Sequence, residues 1–278
     1  MKFHALFCVL MASIFSNHTH SNEITQSPII QNIIAGGITG YSELITGAPL
    51  NYILNCSYQN ISVSKNPRVW YQGSAASGFT TGITTAVAAS VKEKLSQTIN
   101  PSGSITFSES LVSAGTAGLI SGMVSAPVAS IVMHKQKYQE SYLQTIKKAP
   151  LTKAIVADGF RESGFALLLF AIYPEIKNKC TQWMPNEYMA AIMASFITAP
   201  LTTSLTHPAA TIGGIIRSSS MNNPNYKDIK NELDALRYLL KNGGVWKGLV
   251  PRTVRIFIAL PVMGYVYENA TNYLKFSL

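Results

Sequence analysis

The stretch Val245-Trp246-Lys247-Gly248-Leu249-Val250-Pro251-Arg252-Thr253-Val254-Arg255 decides how the chain is read. An aromatic-basic-glycine turn opens it. An apolar run follows that holds two arginines three residues apart and continues without charge to Val266. An arginine inside such a run is costly unless it faces water or a partner. The segment therefore describes a helix turned partly toward a polar interior.

Working outward, the same turn stands as Trp70-Tyr71-Gln72-Gly73 and, more weakly, as Thr152-Lys153-Ala154. Upstream of each lies a segment of small residues that leads to a proline. Ala35-Gly36-Gly37-Ile38-Thr39-Gly40 leads to Pro49, Ala114 to Gly118 with Gly122 leads to Pro127, and Ala190 to Thr206 leads to Pro208. The prolines recur about every 80 residues, longer than a solenoid repeat and room for two spans and a loop. Six helices are expected near 29–56, 73–95, 108–134, 155–177, 187–217 and 248–274. Pro49, Pro127 and Pro208 should kink the odd-numbered helices, and three equivalent kinks imply a funnel.

Composition agrees with a chain that meets lipid. Of 278 residues only 13% are charged and 47% are hydrophobic, against roughly 25% charged in soluble domains. The charges cluster in Lys135 to Lys153 and Lys227 to Lys247 and almost vanish from Ser108 to Met133. Gly36/Gly40, Gly78/Gly82, Gly118/Gly122 and Gly213/Gly214 would let helices approach closely in a bilayer. Most of the net charge of +9 falls in loops, where Lys and Arg orient spans against anionic lipid. No basic stripe with interleaved aromatics appears, so nucleic acid is not the expected partner.

The chain begins Met1-Lys2-Phe3-His4, then an apolar run from Ala5 to Phe15, then Ser16-Asn17-His18-Thr19-His20. This pattern is that of a secretory signal peptide, or of an uncleaved leader or a misassigned start. The run is too short to cross a bilayer unaided. Cys8, Cys56 and Cys180 are an odd number without metal-like spacing. No phosphate loop, nucleophile elbow or metal-ligand cluster is present, so no enzymatic activity and no cofactor are expected.

From about residue 29 to 275 the chain resembles the mitochondrial carrier family, most clearly in Gly248 to Arg255 and in Met263-Gly264-Tyr265-Val266-Tyr267-Glu268. The resemblance implies an all-α membrane protein of six transmembrane helices in three pseudo-symmetric two-helix repeats. It divides the chain into a leader, 1–28, and repeats over 29–100, 101–185 and 186–278. Family members carry Pro-x-acidic-x-x-basic at the end of each odd helix, whose charges pair in a ring. Here the prolines remain, but the acidic positions hold Asn51, Ala129 and Ala210 and the basic ones Leu54, Val132 and Gly213. Gln136 matches a glutamine that follows the motif in many carriers. Without its charge pairs, that end is expected to close weakly or by packing alone.

The opposite gate of the family is an aromatic-acidic-x-x-basic motif late in each even helix. Glu268 keeps the acid with Thr271 in the basic place, Lys177 keeps the base with Pro174 in the acidic place, and Glu93 is followed by Ser96. Lys177 could pair with Glu93 or Glu268, or simply snorkel to the membrane surface.

Aligned on one another, the even helices bring Thr80, Arg161 and Arg255 to equivalent positions. In the family these positions face the cavity and touch substrate, so the resemblance implies binding by Thr80, Arg161 with Glu162, and Arg255, with Arg252 beside them. The alternative is that Arg161 pairs locally with Glu162 or Asp158 and that Arg252 sits at an interface. Arginine favours bidentate binding of carboxylate or phosphate, so an anionic metabolite is expected. The Arg161-Glu162 pair resembles amino-acid carriers. The leader and degenerate motifs resemble a secreted nucleotide carrier that an intracellular bacterium delivers to host mitochondria. The expectation adopted is exchange of ATP or ADP across the mitochondrial inner membrane by a monomer. Its other partners would be the lipid bilayer, the mitochondrial import machinery and a bacterial secretion system. An amino-acid or carboxylate carrier and a non-transporting relic that perturbs membranes are the alternatives considered.

Overall fold

A computed structural model describes residues 28–100 and 106–261, all helical or loop, with no strand among the described residues. The long helices are α1 (Pro28–Gln59), α3 (Ser74–Ile99), α4 (Phe107–Tyr138), α6 (Ile155–Leu167) and α8 (Glu187–Ser220). A π-helical turn (Leu168–Ile172) joins α6 to α7 (Tyr173–Thr181), making one rod. Short helices α2 (Pro67–Trp70), α5 (Tyr142–Lys148) and α9 (Glu232–Asn242) lie in the connections. A final helix, α10, starts at 249 and continues to 261, the last described residue. The leader, Tyr267, Glu268 and Thr271 lie outside the described residues.

Local chemistry sets the helix ends. Thr106 and Glu109 form a capping box at the start of α4, with the Thr106 amide donating to Glu109 at 2.7 Å. The Asn186 side chain accepts from the Tyr188 amide at 2.8 Å and caps α8. Pro49, Pro127 and Pro208 each lie inside a helix that continues past them. In the α6–α7 rod, Pro174 has no N–H to offer the Phe170 carbonyl four residues back. The Lys92 ammonium on α3 donates to that carbonyl at 3.3 Å.

The three helices α3, α6 and α10 start alike. Gly73 (φ 78°), Ala154 (φ 63°) and Gly248 (φ 86°) are all left-handed. Each of their carbonyls then accepts the first helical hydrogen bond, from Ser77, Asp158 and Arg252 respectively. Ala154, the weak member of the sequence marker, thus makes the same turn as the two glycines, although a side chain there is strained.

Glycines set the helix spacing. A Cβ on Gly36 would meet the Gly82 carbonyl at 2.6 Å, and Gly40 abuts the backbone of Gly78 and Gly82, which locks α1 onto α3. Gly118 and Gly122 press α4 against the backbone of α6 at Glu162–Ser163 and Asp158–Gly159. Packing proceeds from α1 to α3, α4, α6 and α8, and α8 meets α1 again. Ile256 and Leu260 of α10 pack with Leu169 and Ala199.

Hydroxyl side chains lie inside and large apolar ones outside at many positions of the long helices. Ser121, Ser125, Ser130, Thr198, Thr202, Thr203 and Thr206 are buried, and their hydroxyls donate to carbonyls one turn back. Phe79, Val112, Phe160, Phe196, Leu201 and Leu205 point outward, Leu205 being 67% exposed. Among the described residues two helices, α4 and α8, are long and apolar enough to cross a membrane.

Candidate binding cavity

Six helices wall a cavity of about 150 Å³. Its lining comes from α1 (Asn51, Leu54, Asn55, Tyr58), α3 (Ser77 to Thr85), α4 (Ala129 to Met133), α6 (Arg161, Glu162, Phe165), α8 (Ala210, Gly214, Arg217) and α10 (Arg252 to Ala259). The lining therefore uses the C-terminal parts of α1, α4 and α8, the N-terminal half of α3, the N-terminal half of the α6–α7 rod and the described part of α10. Thr80, Arg161, Glu162, Arg252 and Arg255, the residues singled out in the sequence, all line this one space.

Register explains the convergence. Counting from the left-handed residue, the fourth positions are Ser77, Asp158 and Arg252, and the seventh are Thr80, Arg161 and Arg255. Residues three apart share a helix face, so each helix presents both positions inward. Four arginines and one glutamate line the cavity, and Asp158 lies directly behind them.

The arginines differ in their surroundings. Arg161 is held by two acids, Asp158 at 2.8 Å and Glu162 at 2.7 Å, so the local pairing weighed from sequence is present while the residue still lines the cavity. Arg217, 4% exposed, is paired with the fully buried Asp158 and donates from Nε to Ser130 at 3.0 Å. Arg252, 7% exposed, donates from Nη2 to Thr206 at 2.8 Å. No carboxylate among the described residues pairs with it, and its Nε is buried without a hydrogen-bond partner.

The end of the bundle expected to close weakly or by packing alone carries polar contacts between its helices. Asn55 donates to Gln136 at 2.6 Å, joining α1 to α4. Arg217 joins α8 to both α4 and α6. Asn51 donates to Ser77 at 3.2 Å, joining α1 to α3. Asn223, just past α8, donates to the Gln59 carbonyl at 2.7 Å. In low dielectric such bonds are stronger than in water.

Sequence reasoning had no role for Tyr58 or Arg217 and treated Asp158 only as a local partner of Arg161. A usable signal was present: Tyr58, Gln136 and Arg217 each stand nine residues after Pro49, Pro127 and Pro208. Of the expected gate residues, Lys177 pairs with Glu187 at the start of α8 at 2.8 Å, and Glu93 lies near the C-terminal end of α3. Among the described residues no group of three His, Cys, Asp or Glu could hold a metal ion. No protein-family model matches the chain, and no curated protein matches it significantly.

Proposed function

We propose that the chain is a membrane transporter that carries an anionic metabolite by alternating access, with the arginine-lined cavity as its binding site. Its helices are read as three two-helix repeats of the mitochondrial-carrier kind, and its destination as the mitochondrial inner membrane. The observation that carries the proposal is the meeting of Thr80, Arg161 and Arg255, matched positions of three segments, on one cavity. Three recurrences of the left-handed turn support the repeat reading. The placement of large apolar residues supports the bilayer: they face outward on several helices while Ser and Thr share the interior with smaller apolar residues. Soluble monomers seldom expose apolar surface so widely.

A guanidinium-rich cavity favours carboxylate or phosphate cargo. ATP or ADP is the cargo proposed first. The Arg161–Glu162 pair offers both signs of charge at one wall, which favours an amino acid as the second reading. Transport requires the polar crosslinks at the Tyr58 end to part and re-form as the repeats rock about the site. Purified protein in proteoliposomes preloaded with ATP, offered labelled ATP, glutamate or succinate, tests the proposal. Saturable uptake of one of these, reduced at least about tenfold by Arg255→Ala, is expected. Absence of saturable uptake for every compound overturns it.

A further inference from the structure

Resting on the carrier reading, we infer that Tyr58 and Arg252 form the oxyanion-binding point of the cavity and hold a carboxylate or phosphate of the cargo at the crosslinked end. Arg252 is the starting point. Its charge is almost wholly buried, and its one side-chain hydrogen bond goes to the neutral hydroxyl of Thr206. A guanidinium held this way inside a span is costly until a counter-charge arrives. Arg161 and Arg217 already have carboxylates, so neither makes the same demand.

Tyr58 supplies the second donor from α1, whose end packs against the start of α10 at Leu54, Ser57 and Gly248. It is 6% exposed, lines the cavity, and its hydroxyl is buried without a hydrogen bond. That hydroxyl and the Arg252 guanidinium line the same cavity and lie within electrostatic reach of each other. The ring is fixed in place: a Cβ on Gly214 would fall 2.6 Å from it, so only glycine leaves room there. A neutral O–H and an Arg N–H, both unfilled and both at one spot, match an oxyanion that accepts from each.

The test is ligand-induced thermal stabilisation of the purified full chain in detergent, titrated with ATP, inorganic phosphate, succinate and glutamate. At least one of these is expected to stabilise the unaltered chain. Tyr58→Phe keeps the ring against Gly214 and should raise the half-saturating concentration about tenfold, with Arg252→Gln raising it further. Response to ATP and phosphate assigns a phosphate group, and response to succinate or glutamate a carboxylate. Unchanged titration in Tyr58→Phe overturns the assignment, as does failure of all four anions to stabilise the unaltered chain. Binding that depends on Tyr58 without flux in proteoliposomes would leave this site standing and remove the transport reading. Flux with an unaltered KM in Tyr58→Phe would do the reverse.

Discussion

Asp158 anchors two arginines at once, and that makes it the residue whose loss the bundle should tolerate least. Its carboxylate is fully buried between Arg217 of α8 and Arg161 of its own helix. Removing it leaves the Arg217 guanidinium buried with only Ser130 for company. Breaking one side of such a pair costs about 3–5 kcal/mol, whereas replacing both partners with apolar groups can be nearly neutral. Asp158→Asn is therefore expected to lower the thermal midpoint in detergent sharply. The double variant Asp158→Asn, Arg217→Met should recover at least half of the loss. Equal losses in single and double variants would mean that the pair is not coupled.

At the scale of elements, the left-handed turn that starts α3, α6 and α10 makes a graded prediction. Gly248→Ala adds left-handed strain of about 1–2 kcal/mol and sets a methyl 3.0 Å from Leu54 Cδ1, so it should destabilise clearly. Gly73→Ala adds the strain with a looser contact, 3.3 Å to the Val132 carbonyl, and should cost less. Ala154→Gly relieves strain but loses a buried methyl worth about 0.8 kcal/mol and gains chain entropy when unfolded. Its net effect should be under about 1 kcal/mol. Thermal midpoints that do not follow this order would remove the common role of the three turns. The turn also shows what was legible in sequence. Trp70 to Gly73 and Trp246 to Gly248 could be read because glycine advertises positive φ, whereas Ala154 adopts the same conformation without a glycine to announce it. Helix positions were readable because charge is sparse within the long helices and dense around the connections. The partners in the crosslinks between Asn55 and Gln136, and between Arg217 and Asp158, were not, because recurrence nine residues past each proline marks a position and not what it meets.

For the whole molecule, the central claim is an apolar exterior against lipid around a watery, positively charged interior. Thr81 lines the cavity and Leu205 faces outward, so the two residues report on opposite environments. With Cys8, Cys56 and Cys180 replaced by serine, Thr81→Cys and Leu205→Cys can each be exposed to a charged, membrane-impermeant thiol reagent in proteoliposomes. Only a thiol in water ionises and reacts readily. The account predicts that Thr81→Cys is labelled while Leu205→Cys stays unmodified until the chain is unfolded. Rapid labelling of Leu205→Cys in intact vesicles, or none of Thr81→Cys, would contradict it.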